Sequence, residues 1–163
     1  MSIATGAILA IWMALAAAST LGCAWYLRLL RRPQPLPDAA PPVLVAVPVR
    51  GAAELAGFLS ALSAQDYPAW RVVFAVEDRA DPALPTLTRF AAAHPSRAEV
   101  VVAGATGRRA QKVHNLLAVL PMLRPDDAAL VTLDADTLPP PNMLAELLRP
   151  VLAGQGDISS GYR

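Results

Sequence analysis

The chain has 163 residues, 55% of them hydrophobic, with 14 Lys and Arg against 13 Asp and Glu for a net charge of +1. That near balance excludes a nucleic-acid footprint, because the only local clusters of cations are Arg28, Arg31 and Arg32 at one place and Arg108-Arg109 at another. A mean hydropathy of +0.39 points instead to one domain plus an unusually apolar segment.

The apolar segment comes first. Residues 3–27 contain no charged side chain, and roughly 25 helical residues at ~1.5 Å each reach ~37 Å, enough to cross a hydrocarbon core of ~30 Å with some tilt. Arg28, Arg31 and Arg32 follow at once, so the positive-inside rule places the C-terminal side in the cytoplasm, with Trp25 and Tyr26 as interfacial anchors. A cleavable leader is the competing reading. The missing basic flank ahead of the run, its continuation past Cys23 and the arginines on its far side favour a retained single-pass anchor in the inner, cytoplasmic membrane. Cys23 is the only cysteine, which excludes an intrachain disulfide and any cysteine-based metal cluster.

Residues 1–32 are thus an anchor with a basic flank. Residues 33–42, PQPLPDAAPP, carry five prolines and no apolar periodicity, as a stiff extended linker would. The β-branched run VLVAVPV at 43–49 predicts a buried first strand. Leu55, Phe58, Leu59 and Leu62 recur at i, i+3, i+4 and i+7 and predict a helix closed by Asp66-Tyr67-Pro68. RVVFAV at 71–76 predicts a second strand that delivers Glu77 and Asp78 at its carboxyl end. Leu84, Leu87 and Phe90 mark a helix starting near Pro82, and residues 99–103 a third strand. After a glycine-containing turn, Val113, Leu116, Leu117 and Leu120 predict an apolar helix face, with Arg108, Gln111, Lys112 and Asn115 on the opposite polar face. A fourth, fully buried strand is predicted at 129–133; Met143, Leu144, Leu147, Leu148 and Val151 predict the next helix, and residues 157–162 the start of a fifth strand. Strands and helices that alternate in this way predict an α/β fold: a mainly parallel sheet with right-handed crossovers and helices on both faces.

The fourth strand runs directly into Asp134 and Asp136 before three prolines stop it. On an extended backbone residues i and i+2 point the same way, which would project both carboxylates into the crevice beyond the strand's end. Two such oxygen donors suit Mg²⁺ or Mn²⁺, with phosphate oxygens completing the shell. Acids at strand ends are also turn formers and caps, and the same holds for Asp78 before its loop. Lys112, the only lysine, is open both to a phosphate-binding role and to that of a solvated helix residue. A haloacid-dehalogenase-type phosphatase also places D-x-D after an apolar strand, but on its first strand and with a further residue before its Thr; here Thr137 follows Asp136 directly.

Five segments in order, VAVPVRG at 45–51, SAQDYP at 63–68, VEDRADPA at 76–83, GRRAQKVHNL at 107–116 and LVTLDADT at 130–137, together resemble a family-2-type, GT-A-fold glycosyltransferase. The resemblance is to the ceramide and hopanoid glycosyltransferase branch and spans residues 43–163. It implies a Rossmann-like half domain that binds a UDP-sugar donor. Asp78 would face the base, Lys112 and Asn115 the base and diphosphate, and Asp134 with Asp136 the ribose, metal and diphosphate, the metal being Mg²⁺ or Mn²⁺. The acceptor it implies is a lipid such as a ceramide or hopanoid, reached from the membrane. A family general base and a Q-x-x-R-W motif belong to a second half of the catalytic domain; neither occurs in these 163 residues, so no catalytic residue is assigned and the expectation is a truncated, donor-binding half. The alternative expectation is a non-catalytic, membrane-tethered module that binds a nucleotide sugar or a protein.

Overall fold

The computed structural model describes residues 3–30, 40–51 and 55–161. Two units are distinct, residues 1–34 and 35–163. The first is the helix α1 (Ile3–Leu30), whose Thr5–Arg28 stretch is long and apolar enough to cross a membrane. Its apolar side chains, among them Ile8, Trp12, Leu15, Leu21 and Trp25, are exposed, as a helix solvated by lipid requires. Arg31, Arg32 and most of the proline-rich linker lie outside the described residues.

The second unit runs β1 (Val43–Pro48), α2 (Leu55–Ser63), β2 (Trp70–Val76), α3 (Leu84–Ala93), β3 (Ala98–Val102), α4 (Gln111–Val119), a 3₁₀ turn (Leu120–Met122), β4 (Ala129–Thr132) and α5 (Met143–Leu152). The four strands form one all-parallel sheet in the order β3-β2-β1-β4. The expected α/β architecture is therefore what the chain adopts.

Period-2 alternation sorts the core into two layers. Val43, Val45 and Val47 of β1 join Val72, Phe74 and Val76 of β2 in a large cluster against α2, α3 and α5, where all four predicted α2 residues, Leu55, Phe58, Leu59 and Leu62, are buried. Leu44 and Ala46 with Val73 and Ala75 turn to the other side, against Val119 and Leu116 of α4 and Met122 beyond it. Helices thus cover both faces of β1 and β2, which explains why these strands read as continuous apolar runs.

Four expectations are corrected. β4 is not fully buried: Val131 is, but Leu130 is 38% exposed and Thr132 is exposed. It is an edge strand whose Leu130 and Thr132 pair with Leu44 and Ala46, so they share the α4 face, and α4 packs across β1, β2 and β3. The α4 wheel is also rotated from expectation, since Asn115 is only 3% exposed whereas Val113 is 48% exposed. Its helix ends at Val119, before Leu120-Pro121. The third strand begins one residue early, at Ala98, and residues 157–161 form no strand, leaving Ile158 exposed.

Candidate functional site at the carboxyl edge of the sheet

The strand order places the site. From β1 the chain builds outward through β2 to β3, then crosses back to put β4 on the other side of β1, so β1 and β4 flank a topological switch point. Ligands of open α/β sheets bind in the crevice outside the carboxyl ends at such a point. The residues that follow those ends are Arg50 and Gly51 after β1, Asp78 after β2 and Asp134 after β4.

Lys112 meets Asp134 there. Its Nζ lies 2.7 Å from Asp134 Oδ1 and 2.9 Å from Oδ2, a two-pronged contact between the first turn of α4 and the exit of β4. Both side chains remain open to solvent, at 58% and 50% exposure. The pair is thus reachable by a ligand and is not part of the core.

Asp134 and Asp136 sit on a turn and not on extended backbone, a further departure from the sequence reading. Thr137 closes it, its N–H donating to Asp134 O at 3.2 Å and its hydroxyl to the same oxygen at 2.8 Å. Pro139, Pro140 and Pro141 follow Leu138 and exclude further strand. Asp136 is exposed within this turn. Among the described residues, no three His, Cys, Asp or Glu side chains are grouped to hold a metal. Two exposed carboxylates still fit a hard divalent cation that takes its remaining ligands from water and phosphate, the usual habit of Mg²⁺.

Asp78 is exposed, and its Oδ1 accepts the N–H of Ala80 at 2.7 Å, so the local turn-forming role is realised at that oxygen. Asn115 faces inward: its Nδ2 donates to Ala75 O at 3.2 Å and its Oδ1 accepts from Gln111 Nε2 at 2.7 Å. Gln111 in turn holds the preceding loop, donating to Gly104 O at 2.8 Å and accepting from Thr106 N at 3.1 Å, while His114 Nε2 donates to Ala103 O at 3.1 Å. These bonds pin the start of α4 to the carboxyl ends of β2 and β3. They set where Lys112 stands.

Sequence reasoning passed over Asp81. This buried carboxylate binds Gly51 N across the loops that leave β1 and β2. The Asp-Pro dipeptide ahead of a helix was the available signal, since Asp there both turns and caps the chain.

A groove of about 900 Å³ runs from Pro48, Lys112 and Asp134 along the open face of β4 toward Leu138 and Ile158. Its lining is mixed, with Leu116, Leu130 and Leu147 beside the ionic pair.

The fold and site together define an α/β protein with an ionic, ligand-accessible crevice at a switch point, on a chain that carries an apolar helix of membrane-spanning length. Comparison with known families makes this specific: residues 7–163 match glycosyl transferase family 21, and the chain belongs to that family. Comparison with curated proteins gave no match.

Proposed function

We propose that this chain binds a nucleotide sugar, specifically a UDP sugar, at the carboxyl edge of its sheet, as the donor site of a hexosyltransferase acting on a membrane lipid such as a ceramide or hopanoid. The observation that carries this reading is the solvent-open Lys112–Asp134 pair at the β1/β4 switch point in a family 21 chain.

The residues divide the work by charge. Lys112 supplies a cation for the diphosphate, and its bond to Asp134 holds the ammonium at the crevice until phosphate oxygens compete for it. Asp134 and Asp136 are the residues that would hold Mg²⁺ or Mn²⁺, which when bound offsets the charge of the departing diphosphate. Asp78 presents a carboxylate two strands away, suited to accept the imide N–H of uracil. Asn115 acts from behind, through the backbone of β2 and the first turn of α4. Inversion at the sugar needs a base for the acceptor hydroxyl, and none of these residues takes that part.

The apolar part of the groove beside Asp134 supports a lipid acceptor, because an acyl or polycyclic chain gains from lining such as Leu116 and Leu130. The anchor supports the same substrate class, and Arg28 at its C-terminal end supports a cytoplasmic site.

Calorimetry tests the donor reading. UDP should bind the purified chain only with Mn²⁺ or Mg²⁺ present, and Asp136→Ala should weaken that binding at least tenfold. Equal affinity in parent and variant would remove Asp136 from the site.

A further inference from the structure

α4 packs polar groups inward and leaves apolar ones outside. Asn115, buried, and Gln111 and His114, half-buried, bond to the end of β2 and to the loop after β3. Val113, Leu117 and Leu120 recur at i, i+4 and i+7 on the side away from Asn115, with exposures of 48%, 39% and 41%, and Leu123 continues the row at 40%. Leu116, beside them, lines the groove that begins at Lys112 and Asp134. A helix that faces water carries polar residues on its outer side, so an apolar row there marks an interaction surface.

Cations stand at both ends of the row. Arg108 and Arg109 are exposed in the loop that leads into α4, Arg124 is exposed just past Leu123, and none of the three forms an ion pair among the described residues. Of the acids nearby, Asp134 is engaged by Lys112 and Asp127 by Arg71, which leaves Asp126 and, on the same side of β3, Glu99. Arginines flanking an apolar stripe suit a bilayer interface, where the apolar side chains enter the acyl boundary and the guanidinium groups meet anionic headgroups. A second copy of the chain suits it less, because a face with cations at both ends would meet its own like charges in a two-fold dimer.

The path of the chain favours the same partner. The turn that closes the row, Arg124 to Asp127, runs into Ala128, whose N–H donates to Pro42 O at 2.8 Å. The second unit is thus entered from the anchor side next to this surface. Between α1 and the described residue 40 lie only residues 31–39, a span of at most ~32 Å, so a bilayer crossed by α1 acts as a tethered ligand at high effective concentration. We propose that the outward face of α4, from Arg108 to Arg124, is a docking surface for an anionic membrane. This inference stands apart from the nucleotide-sugar reading.

The test uses the full chain with Cys23→Ser, in nanodiscs of phosphatidylcholine with or without phosphatidylglycerol. An environment-sensitive fluorophore is attached at Leu117→Cys or Leu120→Cys, with exposed Thr88→Cys on α3, across the sheet, as the control. With phosphatidylglycerol present, nitroxide-labelled acyl chains should quench the fluorophore at 117 and 120 and leave it bright at 88. Removing the anionic lipid, or combining Arg108→Glu, Arg109→Glu and Arg124→Glu, should abolish that quenching. Quenching no stronger at 117 and 120 than at 88 overturns the proposal. A blue-shifted fluorophore that the nitroxide lipids do not quench overturns it too, since protein and not lipid would then cover the face. Quenching unchanged both in neutral lipid and in the charge-reversed variant overturns the assignment of an anionic surface.

Discussion

Lys112→Met separates a functional ion pair from a structural one, because the two roles predict opposite patterns. The substitution keeps the unbranched stem and removes only the ammonium. In the structure that ammonium touches both oxygens of Asp134, at 2.7 and 2.9 Å, with the two side chains 58% and 50% exposed. Ion pairs this open contribute ~0–1 kcal/mol to folding, because water and salt screen them. The unfolding free energy should therefore drop by less than about 1 kcal/mol, which is a few degrees in Tm. Binding should suffer far more. A hydrogen bond from an ammonium to phosphate is worth ~1.5–3 kcal/mol, or roughly 10- to 150-fold in Kd. Urea denaturation followed by circular dichroism measures the first quantity, and calorimetry with UDP and Mn²⁺ the second; Lys112→Arg should recover part of the affinity. A variant that loses more than about 2 kcal/mol of stability while binding UDP as the parent does would refute the reasoning.

At the opposite end of the sheet the ion pair is structural. Arg71 reaches Asp127 and donates to Met122 O at 2.6 Å, with the Asp127 carboxylate enclosed and also accepting Arg124 N at 2.7 Å. Asp127→Ala strands a buried guanidinium and should cost ~3–5 kcal/mol in a urea titration, whereas UDP affinity measured on the protein that remains folded should not change. Tyr67 is buried and donates to Pro41 O at 2.6 Å, and burial raises its pKa above the ordinary phenol value. A raised folded-state pKa contributes stability that is fully present below ~10 and is lost as pH rises through the raised value. Alkaline melting curves should show that loss in the parent and less of it in Tyr67→Phe. For the anchor, a cysteine placed near Asp38 should resist a membrane-impermeant reagent applied to intact cells; strong labelling would reverse the assigned orientation.

The fold was legible because local and global signals agree over most of the second unit. The β-branched runs of β1 and β2 are continuous because both faces are covered, and the heptad-like spacing of Leu55, Phe58, Leu59 and Leu62 matches the face that α2 buries. What stayed hidden depended on contacts far apart in sequence. An apolar run does not reveal whether its strand lies inside a sheet or at its edge, so the exposure of Leu130 and Thr132 could not be read from 129–133. Asn115 looked solvated until its partner, the carbonyl of Ala75, supplied a reason to bury it. The D-x-D triplet was visible, but its backbone was not, because Thr137 folds it into a turn through bonds to Asp134 O. Asp81 was overlooked beside Asp78, since its bond to Gly51 joins residues 30 apart, which only the fold brings near.

The donor is proposed to bind where β1 and β4 part, between Lys112 and the Asp134–Thr137 turn. Paramagnetic broadening by Mn²⁺ in the presence of UDP reads that position directly in an amide NMR spectrum. Amides of residues 133–137 and of the first turn of α4 should broaden first, and the broadening should vanish in Asp134→Ala together with Asp136→Ala. Broadening centred on the Arg71–Asp127 end of the sheet, or unchanged in the double variant, would contradict it.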